Sequence, residues 1–173
     1  MTDVEIREAR PEEHEEAGAA TADSYREFAR PGSADWEEYL EELANVAGRA
    51  ERTTVLVAVE DGRILGTVTL ELEDRVDAGQ QSREGQPLAP HEAHVRMLGV
   101  LPEARGRGIG RRLMEECLAR ARAAGKTLMT LHTTRPMTIA QGMYESMGFV
   151  RTEDWVLESG FVLLSYALEL GPD

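Results

Sequence analysis

The alternation of apolar and polar positions predicts a chain that mixes strands and helices. VEIREA near the N-terminus alternates with period two, which indicates a first strand. Residues 53–73 form two β-rich runs on either side of Asp61 and Gly62, a pattern typical of a hairpin with a tight turn. Further strands are predicted over AHVRMLGVL, TLMTLHT, FVRTEDWVL and FVLLSYALEL, of which the last two are expected to form a closing antiparallel pair.

Helical periodicity predicts four helices between these strands. Pro11 suits the first position of a helix whose face carries Ala17, Thr21, Ser24, Tyr25 and Phe28. Ser33 or Asp35 can cap a second helix with the stripe Trp36, Leu40, Leu43 and Ala47, and with Tyr39 at its edge. A third helix is expected from about Gly108 to Ala124, with Leu113, Cys117 and Ala121 inside and Gly125 as its stop. The fourth, MTIAQGMYESM, is closed by Gly148, and its apolar stripe is Ile139, Met143 and Met147.

The predicted order is β-α-α-β-β-β-α-β-α-β-β, an α/β fold in a single domain over residues 1–173. With 42% hydrophobic and 29% charged residues, the chain has the composition of an ordinary soluble globular protein. No apolar run reaches the roughly 20 residues that a membrane span needs, and the acidic N-terminal stretch has no signal-peptide pattern. Cys117 is the only cysteine, which excludes an internal disulfide and agrees with a cytoplasmic location.

The charge of the chain is strongly negative but unevenly distributed. The net charge of −13 argues against sequence-independent binding of nucleic acid. Residues 1–50 have a net charge of −9, whereas residues 101–126 have a net charge of +4. The acidic surplus can serve solubility or can attract a cationic substrate, and the composition leaves both interpretations open.

The local positive charge coincides with a glycine-rich segment, residues 105–111, which we call the glycine loop. It follows a strand, precedes a helix, and has Gly106, Gly108 and Gly110 among several arginines. The N–H groups at a helix start favour anions, and glycines let a bulky phosphate approach the backbone. A Walker A loop does not fit, because Gly110 is followed by Arg111 and Arg112, and the dinucleotide fingerprint does not fit, because Arg111 stands where its third glycine belongs. We therefore expect a site for a diphosphate of another kind.

Two motifs resemble those of the GNAT acyltransferase superfamily. RGRGIG matches the R/Q-x-x-G-x-G/A signature at Arg105, Gly108 and Gly110. AQGMYESMGF resembles the family's A-x-x-x-Y-x-x-x-G-F segment at Ala140, Tyr144, Gly148 and Phe149. One helix and one strand separate the two motifs, as in the family. The resemblance implies a mixed, mostly antiparallel sheet flanked by helices.

The resemblance also implies that acetyl-CoA or another acyl-CoA is the donor and that no metal is needed. The main-chain amides of the glycine loop, at Arg105, Gly106, Arg107, Gly108, Ile109, Gly110 and Arg111, would hold the pyrophosphate. Main-chain groups of Leu98 and Val100 would pair with the pantetheine arm, and an N–H there could polarise the thioester carbonyl. Ala140 and Tyr144 would also contact the cofactor. Many relatives have Asn where this chain has Met137, so one side-chain contact to the cofactor is expected to be missing.

The resemblance places Tyr144 beside the thiol sulfur, where it would act as the acid for the leaving thiolate. A base must deprotonate the amine. His94 is the first candidate because it shares one face of its strand with Glu92 and Arg96, at the level where relatives place a base. Glu92 acting through water is the second candidate and His132 the third. Cys117 could carry an acyl group, but its helical phase predicts a core thiol instead.

These features predict an N-acetyltransferase that acts on a primary amine of a small molecule or a peptide by direct attack. Acceptor recognition is expected at Tyr25, Trp36, Tyr39 and residues 73–91, although packing also explains the three aromatic residues. Two alternatives stay open: a protein of the same fold that senses acyl-CoA without turnover, and a module that holds another phosphate compound. A homodimer is common in the family, but the sequence does not determine the oligomeric state.

Overall fold

The computed structural model describes residues 3–29, 34–73, 87–156 and 160–171. Its elements, in chain order, are β1 (Glu5–Glu8), α1 (His14–Tyr25), α2 (Ala34–Ala44), α3 (Val46–Ala50), β2 (Thr54–Glu60), β3 (Arg63–Glu71), β4 (Glu92–Val100), α4 (Ile109–Ala123), β5 (Leu128–Thr133), α5 (Thr138–Ser146), β6 (Val150–Arg151), β7 (Trp155–Val156) and β8 (Val162–Glu169). The chain forms two compact units, of which unit 1 comprises Met1–Leu70 and Met97–Cys117, and unit 2 comprises Glu71–Arg96 and Leu118–Asp173. The single domain over residues 1–173 remains a prediction.

In unit 1 the first strands form an antiparallel meander. β1 pairs with β2, and β2 pairs with β3, with a bulge between Ala58 and Val59. Asp61 and Gly62 have φ angles of 49° and 78°, so the predicted hairpin is confirmed and its turn is of the I′ kind. Leu101, which follows the end of β4, donates its N–H to the carbonyl of Leu65 in β3 at 2.8 Å.

The helices of unit 1 pack closely on its strands. α1 buries the predicted face, including Ala17, Thr21 and Ser24, and the hydroxyl groups of Thr21 and Thr67 lie 2.6 Å apart. A Cβ atom at Gly99 would lie 1.9 Å from Oγ of Ser24, so glycine at this position lets α1 lie directly on the end of β4.

The predicted second helix is divided into two. α2 ends at Ala44, and Asn45 begins α3 by accepting the N–H of Gly48 on its side-chain oxygen at 3.0 Å. Leu43 is fully buried, as the predicted stripe requires, but Ala47 belongs to α3 and is exposed. The prediction of one continuous apolar stripe as far as Ala47 was therefore wrong, because Asn45 caps the start of a separate helix.

In unit 2 the sheet is mixed. β4 runs parallel to β5, with a register from Glu92 opposite Leu128 to Val95 opposite Leu131. β5 runs antiparallel to β8, which also pairs with the short strands β6 and β7. The predicted closing pair is thus present, with its first member divided into two short strands. The predicted fold class is confirmed: an α/β fold with a mixed, mostly antiparallel sheet and flanking helices.

The helix after the glycine loop follows its prediction closely. α4 spans Ile109–Ala123, and its predicted inner stripe, Leu113, Cys117 and Ala121, has no exposed surface. Lys126 donates its N–H to the carbonyl of Ala121 at 3.0 Å, across Gly125 with its φ of +77°. This closing pattern is what a glycine stop provides. Cys117 is a buried thiol, as its helical phase predicts.

Candidate functional site

The glycine loop lies between the end of β4 and the start of α4 in unit 1. A short turn, Pro102–Ala104, leads into it. Gly106 and Gly108 have φ angles of +78° and +76°, and a Cβ atom built on either would meet nothing within 4 Å. Both glycines therefore expose their backbone to open space in a conformation that other residues rarely adopt. The loop therefore presents an open backbone surface of the kind that an anion site needs.

The start of α4 adds donors to this surface. Arg112 donates its N–H to the carbonyl of Gly108 at 3.1 Å, whereas the N–H groups of the helix's first turn have no acceptor within the helix. The side chain of Ile109 is buried and anchors the turn. The positive end of the helix dipole lies at the same place. The predicted residues Ile109, Gly110 and Arg111 thus form the first turn of α4, directly after the two open glycines.

Arg105, the first arginine of the glycine loop, has partners within the protein. Arg105 donates to the carbonyls of Val100 at 3.1 Å and Ser24 at 3.0 Å, and it pairs with the carboxylate of Glu27. It thereby ties the loop to the end of β4 and to α1. The positive charge that its guanidinium group adds to the loop is smaller than the sequence suggests.

Arg107 has a similar partner. Its two terminal nitrogens donate to the two carboxylate oxygens of Glu60 at 3.2 and 2.6 Å. The Glu60 carboxylate raises the pKa of the Arg107 guanidinium group through these hydrogen bonds. The sequence does not reveal this pairing, because the two residues are far apart in the chain.

The end of β4 presents its main chain on the edge away from β3. Main-chain groups of successive residues point to opposite edges of a strand, and Leu101 bonds to β3. Leu98 and Val100 therefore direct their N–H and C=O groups to the other edge. The Leu98 carbonyl accepts the hydroxyl of Tyr25 at 2.8 Å, and the Val100 carbonyl accepts Arg105. Both carbonyls have side-chain partners, so the N–H groups are the better candidates for the pantetheine arm.

In unit 2 the second motif fixes the ring of Tyr144. Its ring centroid lies 5.9 Å from that of Phe149 and 5.9 Å from that of Tyr166, and Tyr144 is 5% exposed. Gly148 has a φ of +97°, and Phe149 donates its N–H to the Tyr144 carbonyl at 3.0 Å. Glycine at position 148 thus lets the chain turn back so that Phe149 packs beside Tyr144.

The predicted apolar stripe of α5 was wrong. Ile139 is 84% exposed, Met143 and Met147 are half-buried, and Tyr144 is the buried residue of this fully described helix. The phase of α5 is set by the packing of Tyr144 on Tyr166 of β8. Packing against another element outweighs the helix's own periodicity here.

The turn between β5 and α5 is held by the side chain of Gln141, which was not a predicted site residue. The side-chain nitrogen of Gln141 donates to the carbonyls of Thr134 at 2.8 Å and Arg135 at 3.1 Å. The sulfur of Met137, where many relatives have Asn, accepts the hydroxyl of Thr133 at 3.6 Å. Ala140, which lies between Met137 and Gln141 in the sequence, is half-buried. Met137 thus has a partner within the protein.

Glu92 and His94 lie together on β4, joined through β5. Thr130 donates its hydroxyl to a carboxylate oxygen of Glu92, and Nδ1 of His94 lies 2.8 Å from the same Thr130 oxygen. Glu92 is 4% exposed and His94 is 2% exposed. His94 is therefore a buried, hydrogen-bonded histidine. Thr130 was not among the predicted residues, although period two places it on one face of β5 with His132.

His132 extends this polar cluster. Its ring centroid lies 5.3 Å from those of both His94 and Trp155, and its Nδ1 lies 3.0 Å from the hydroxyl of Ser165. Ser165 and Tyr166 are neighbours in β8, so their side chains lie on opposite faces of the sheet. The structure thus brings together Glu92, His94 and His132 and places Tyr144 on the other face.

The aromatic residues considered for acceptor recognition form a group in unit 1. The rings of Tyr25 and Tyr39 meet edge to face at 6.2 Å, and those of Trp36 and Tyr39 at 5.8 Å. Tyr25 is buried, whereas Trp36 and Tyr39 are half-buried. Most of the loop predicted over residues 73–91 lies outside the described residues, since 74–86 are not part of them.

Within the described ranges 3–29, 34–73, 87–156 and 160–171, no cluster of three or more His, Cys, Asp or Glu side chains is arranged to hold a metal ion. No helix in those ranges combines the length and apolar character needed to cross a membrane.

Comparison with known proteins finds relatives of this chain among acetyltransferases. A mycothiol acetyltransferase of Cellulomonas flavigena is 34% identical over 97 residues, which are 56% of this chain and 26% of that protein. The chain thus spans about a quarter of the length of this relative.

Solved structures share the fold. A GNAT acetyltransferase from Brucella melitensis, in complex with acetyl-CoA, has a TM-score of 0.62 and 25% identity, covering 99% of this chain and 90% of that one. The ribosomal-protein-S18-alanine N-acetyltransferase of Escherichia coli has a TM-score of 0.69 and 16% identity, covering 99% and 96%. The family model described as "Acetyltransferase (GNAT) family" matches residues 14–149, so the chain belongs to the GNAT family of acetyltransferases.

Proposed function

We propose that this protein transfers the acetyl group of acetyl-CoA to a primary amine by direct attack of the amine on the thioester. The observation that carries the proposal is the pair of open glycines, Gly106 and Gly108, directly before the first turn of α4. The family membership and the acetyl-CoA complex of the Brucella melitensis relative support the same donor.

The glycine loop and the end of β4 would bind the donor. Main-chain amides between Arg105 and Arg111 would bind the pyrophosphate, since helix-start amides favour such an anion. The N–H groups of Leu98 and Val100 would pair with the pantetheine arm as a neighbouring strand would. One of these N–H groups would also stabilise negative charge on the thioester oxygen as the amine attacks.

Tyr144 would serve the leaving group. With ordinary pKa values near 10 for tyrosine and about 8.5 for a thiol, a complete proton transfer is uphill by roughly 2 kcal/mol. The Tyr144 hydroxyl would therefore serve the leaving sulfur either by a hydrogen bond or by a complete proton transfer. The packing of Phe149 and Tyr166 against Tyr144 supports this role, because it fixes the ring.

The attacking amine must lose a proton. For a lysine-like amine with a pKa of about 10.4, forming the neutral species at pH 7 costs roughly 4.6 kcal/mol. We assign His94 as the base, acting directly or through a water molecule, with Glu92 and His132 as neighbours in the same cluster.

The test is release of free CoA thiol over a panel of primary amines. Amine-dependent release is expected. Tyr144→Phe should lower kcat by roughly a hundredfold while the Kd for acetyl-CoA changes little, because the hydroxyl serves the leaving group and not the binding. Tyr166→Phe is the matched control, because it removes the hydroxyl of the tyrosine that packs beside Tyr144. The Tyr166 hydroxyl donates to Glu145 at 3.1 Å, and burial raises its pKa.

Three results would count against the proposal. Binding of acetyl-CoA without thiol release for any amine would favour the sensing protein. Thermal stabilisation by ATP but not by CoA would favour a module for another phosphate compound. An equal loss of kcat in Tyr144→Phe and Tyr166→Phe would show that the hydroxyl of Tyr144 has no special role.

A further inference from the structure

The hairpin turn between β2 and β3 contacts the segment that joins β4 to α4 within unit 1. Glu60 ends β2 and Arg63 begins β3, and the two are paired across the turn in the register of the strands. Arg63 donates to the carboxylate of Glu103 at 2.5 Å. Glu60 accepts both terminal nitrogens of Arg107. Opposite charges therefore meet at two places along this contact.

The contacts between the two segments follow the order of the chain. From the end of β4 onward, they join Leu101 to Leu65, Glu103 to Arg63, and Arg107 to Glu60. The segment that leads into the glycine loop therefore runs back along the start of β3 and past the hairpin turn to the end of β2. The hairpin supports this segment, and the last of the three contacts lies within the glycine loop itself.

The two ion pairs differ in what they can fix. Glu103 lies in the turn Pro102–Ala104, whose backbone is restricted by proline and closed by a main-chain hydrogen bond of 2.9 Å. Arg107 stands between Gly106 and Gly108, and glycine has the widest backbone freedom of any residue. A side-chain anchor at position 107 therefore restricts a stretch that its neighbours leave free, whereas the pair at position 103 adds little to a turn that is already fixed.

We infer that Glu60 is a positioning residue of the donor site, which fixes the glycine loop through its two hydrogen bonds to Arg107. The inference rests on the proposed function, since that proposal makes the loop the site of the CoA pyrophosphate. The side chain of Glu60 is 19% exposed and that of Arg107 is 41% exposed, so the carboxylate is the more enclosed partner. A forked contact of this kind also fixes the orientation of the guanidinium group.

The expected benefit is entropic. A loop that is already ordered loses less conformational freedom when the ligand binds, and the ligand is then held more tightly. Arg105 contributes to the same order from the other side of Gly106, because it bonds to the Ser24 carbonyl and to the carboxylate of Glu27. Gly106 thus lies between two arginines that are anchored to different elements of unit 1.

A direct contact of Arg107 with the ligand would have the opposite consequence. If the guanidinium group bound a phosphate of CoA, Glu60 would compete with that phosphate, and removing the carboxylate would tighten binding. The loss of one negative charge would itself favour an anionic ligand. A positioning role predicts weaker binding in spite of this change in charge. The sign of the effect therefore distinguishes the two roles.

The test is calorimetric titration of the ligand-free protein with CoA. Glu60→Gln and Arg107→Gln should each raise the Kd about fivefold, and the double variant should raise it by about the same factor, because all three changes break one interaction. Glu103→Gln is the matched control, since it removes an equal charge from the same contact but leaves the anchor of the glycine loop intact. Its Kd should stay within about twofold of the wild type.

Hydrogen exchange of the ligand-free protein gives a readout that does not depend on CoA. The main-chain amides of residues 105–108 should exchange faster in Glu60→Gln than in the wild type or in Glu103→Gln. In turnover assays, Glu60→Gln should raise the KM for acetyl-CoA while kcat at saturating donor stays within about twofold, because the pair acts on binding and not on the reacting atoms.

The inference and the proposed function fail in different ways. Tighter or unchanged CoA binding in Glu60→Gln would overturn the inference and leave the donor site where it is. Additive losses in the double variant, or equal exchange of residues 105–108 in Glu60→Gln and the wild type, would also overturn it. If the wild type does not bind CoA, the proposed function fails, and hydrogen exchange alone decides whether Glu60 orders the loop.

Discussion

At the scale of single residues, the glycine loop shows how one sequence pattern can serve two purposes. Its glycines have the open backbone that an anion site needs, whereas the guanidinium groups of Arg105 and Arg107 bond to carboxylates of the same unit. The arginines hold the loop in place, and the proposed contacts to the ligand are main-chain amides, among which that of Arg105 already donates to the carbonyl of Pro102 at 3.4 Å. The binding of CoA should therefore depend more on the backbone of Gly108 than on either guanidinium group.

Gly108→Glu tests this dependence. The side chain would place bulk and negative charge in the open space where the pyrophosphate is expected, and the loss of CoA binding should be complete in calorimetric titration. Gly125→Glu is the matched control, because Gly125 has nearly the same φ, +77° against +76°, and the same open surroundings near the other end of α4.

Both variants place a non-glycine residue at positive φ and should lose roughly 1 kcal/mol of stability. Only Gly108→Glu should lose the ligand. Equal CoA affinities in the two variants would refute the assignment of the glycine loop as the pyrophosphate site.

At the scale of elements, the sequence predicted the turns and helix ends that depend on residues adjacent in the chain. The hairpin at Gly62 and the end of α4 at Gly125 were found where the sequence placed them, because each depends on residues next to it in the chain. The exposure of Ile139 and the division of the second helix were not foreseen. The exposure of Ile139 depends on packing against β8. The division of the second helix depends on a cap by Asn45, which the continuous apolar stripe in the sequence does not indicate.

The turn between β1 and α1 provides a prediction about stability. Glu13 accepts both terminal nitrogens of Arg7, at 2.8 and 2.6 Å, and the N–H of Arg10 at 2.9 Å. The Arg7 hydrogen bonds hold the pKa of Glu13 at about 2, below its ordinary 4.5. A folded-state pKa below the unfolded value means that the contribution is complete above pH 4.5 and is lost as the pH falls toward 2.

Glu13→Gln should therefore lower the free energy of unfolding at pH 7 by about 2–3 kcal/mol and should have little effect near pH 2. Urea unfolding of both proteins at a series of pH values measures the difference. Arg7→Gln should remove the same pH-dependent part, since it removes the other half of the pair. If Glu13→Gln lowered the free energy of unfolding by the same amount at pH 7 and near pH 2, this account would be ruled out.

At the scale of the whole molecule, the fold class and the two motifs could be predicted, but the pairings between distant residues could not. Glu92 and Thr130, or Arg105 and Glu27, are brought together by the fold over 38 and 78 positions, and no spacing rule connects them. The sequence therefore named Glu92 and His94 as alternative bases, whereas the structure joins them through Thr130. The effect of the net charge, in contrast, can be predicted without knowing which distant residues form pairs.

The net charge of −13 predicts opposite salt effects for the two substrates. A cationic amine is attracted to an acidic protein and a CoA thioester is repelled by it, and salt weakens both effects because the Debye length falls to about 10 Å at 0.1 M. Raising ionic strength from about 0.02 to 0.3 M should lower kcat/KM for a diamine roughly threefold or more, and for the monoamine of equal chain length by less. Measured at saturating amine, kcat/KM for acetyl-CoA should rise or stay constant. If kcat/KM fell in parallel for the diamine, the monoamine and acetyl-CoA, salt would be acting on the protein itself. The acidic surplus would then serve solubility and not the attraction of a cationic acceptor.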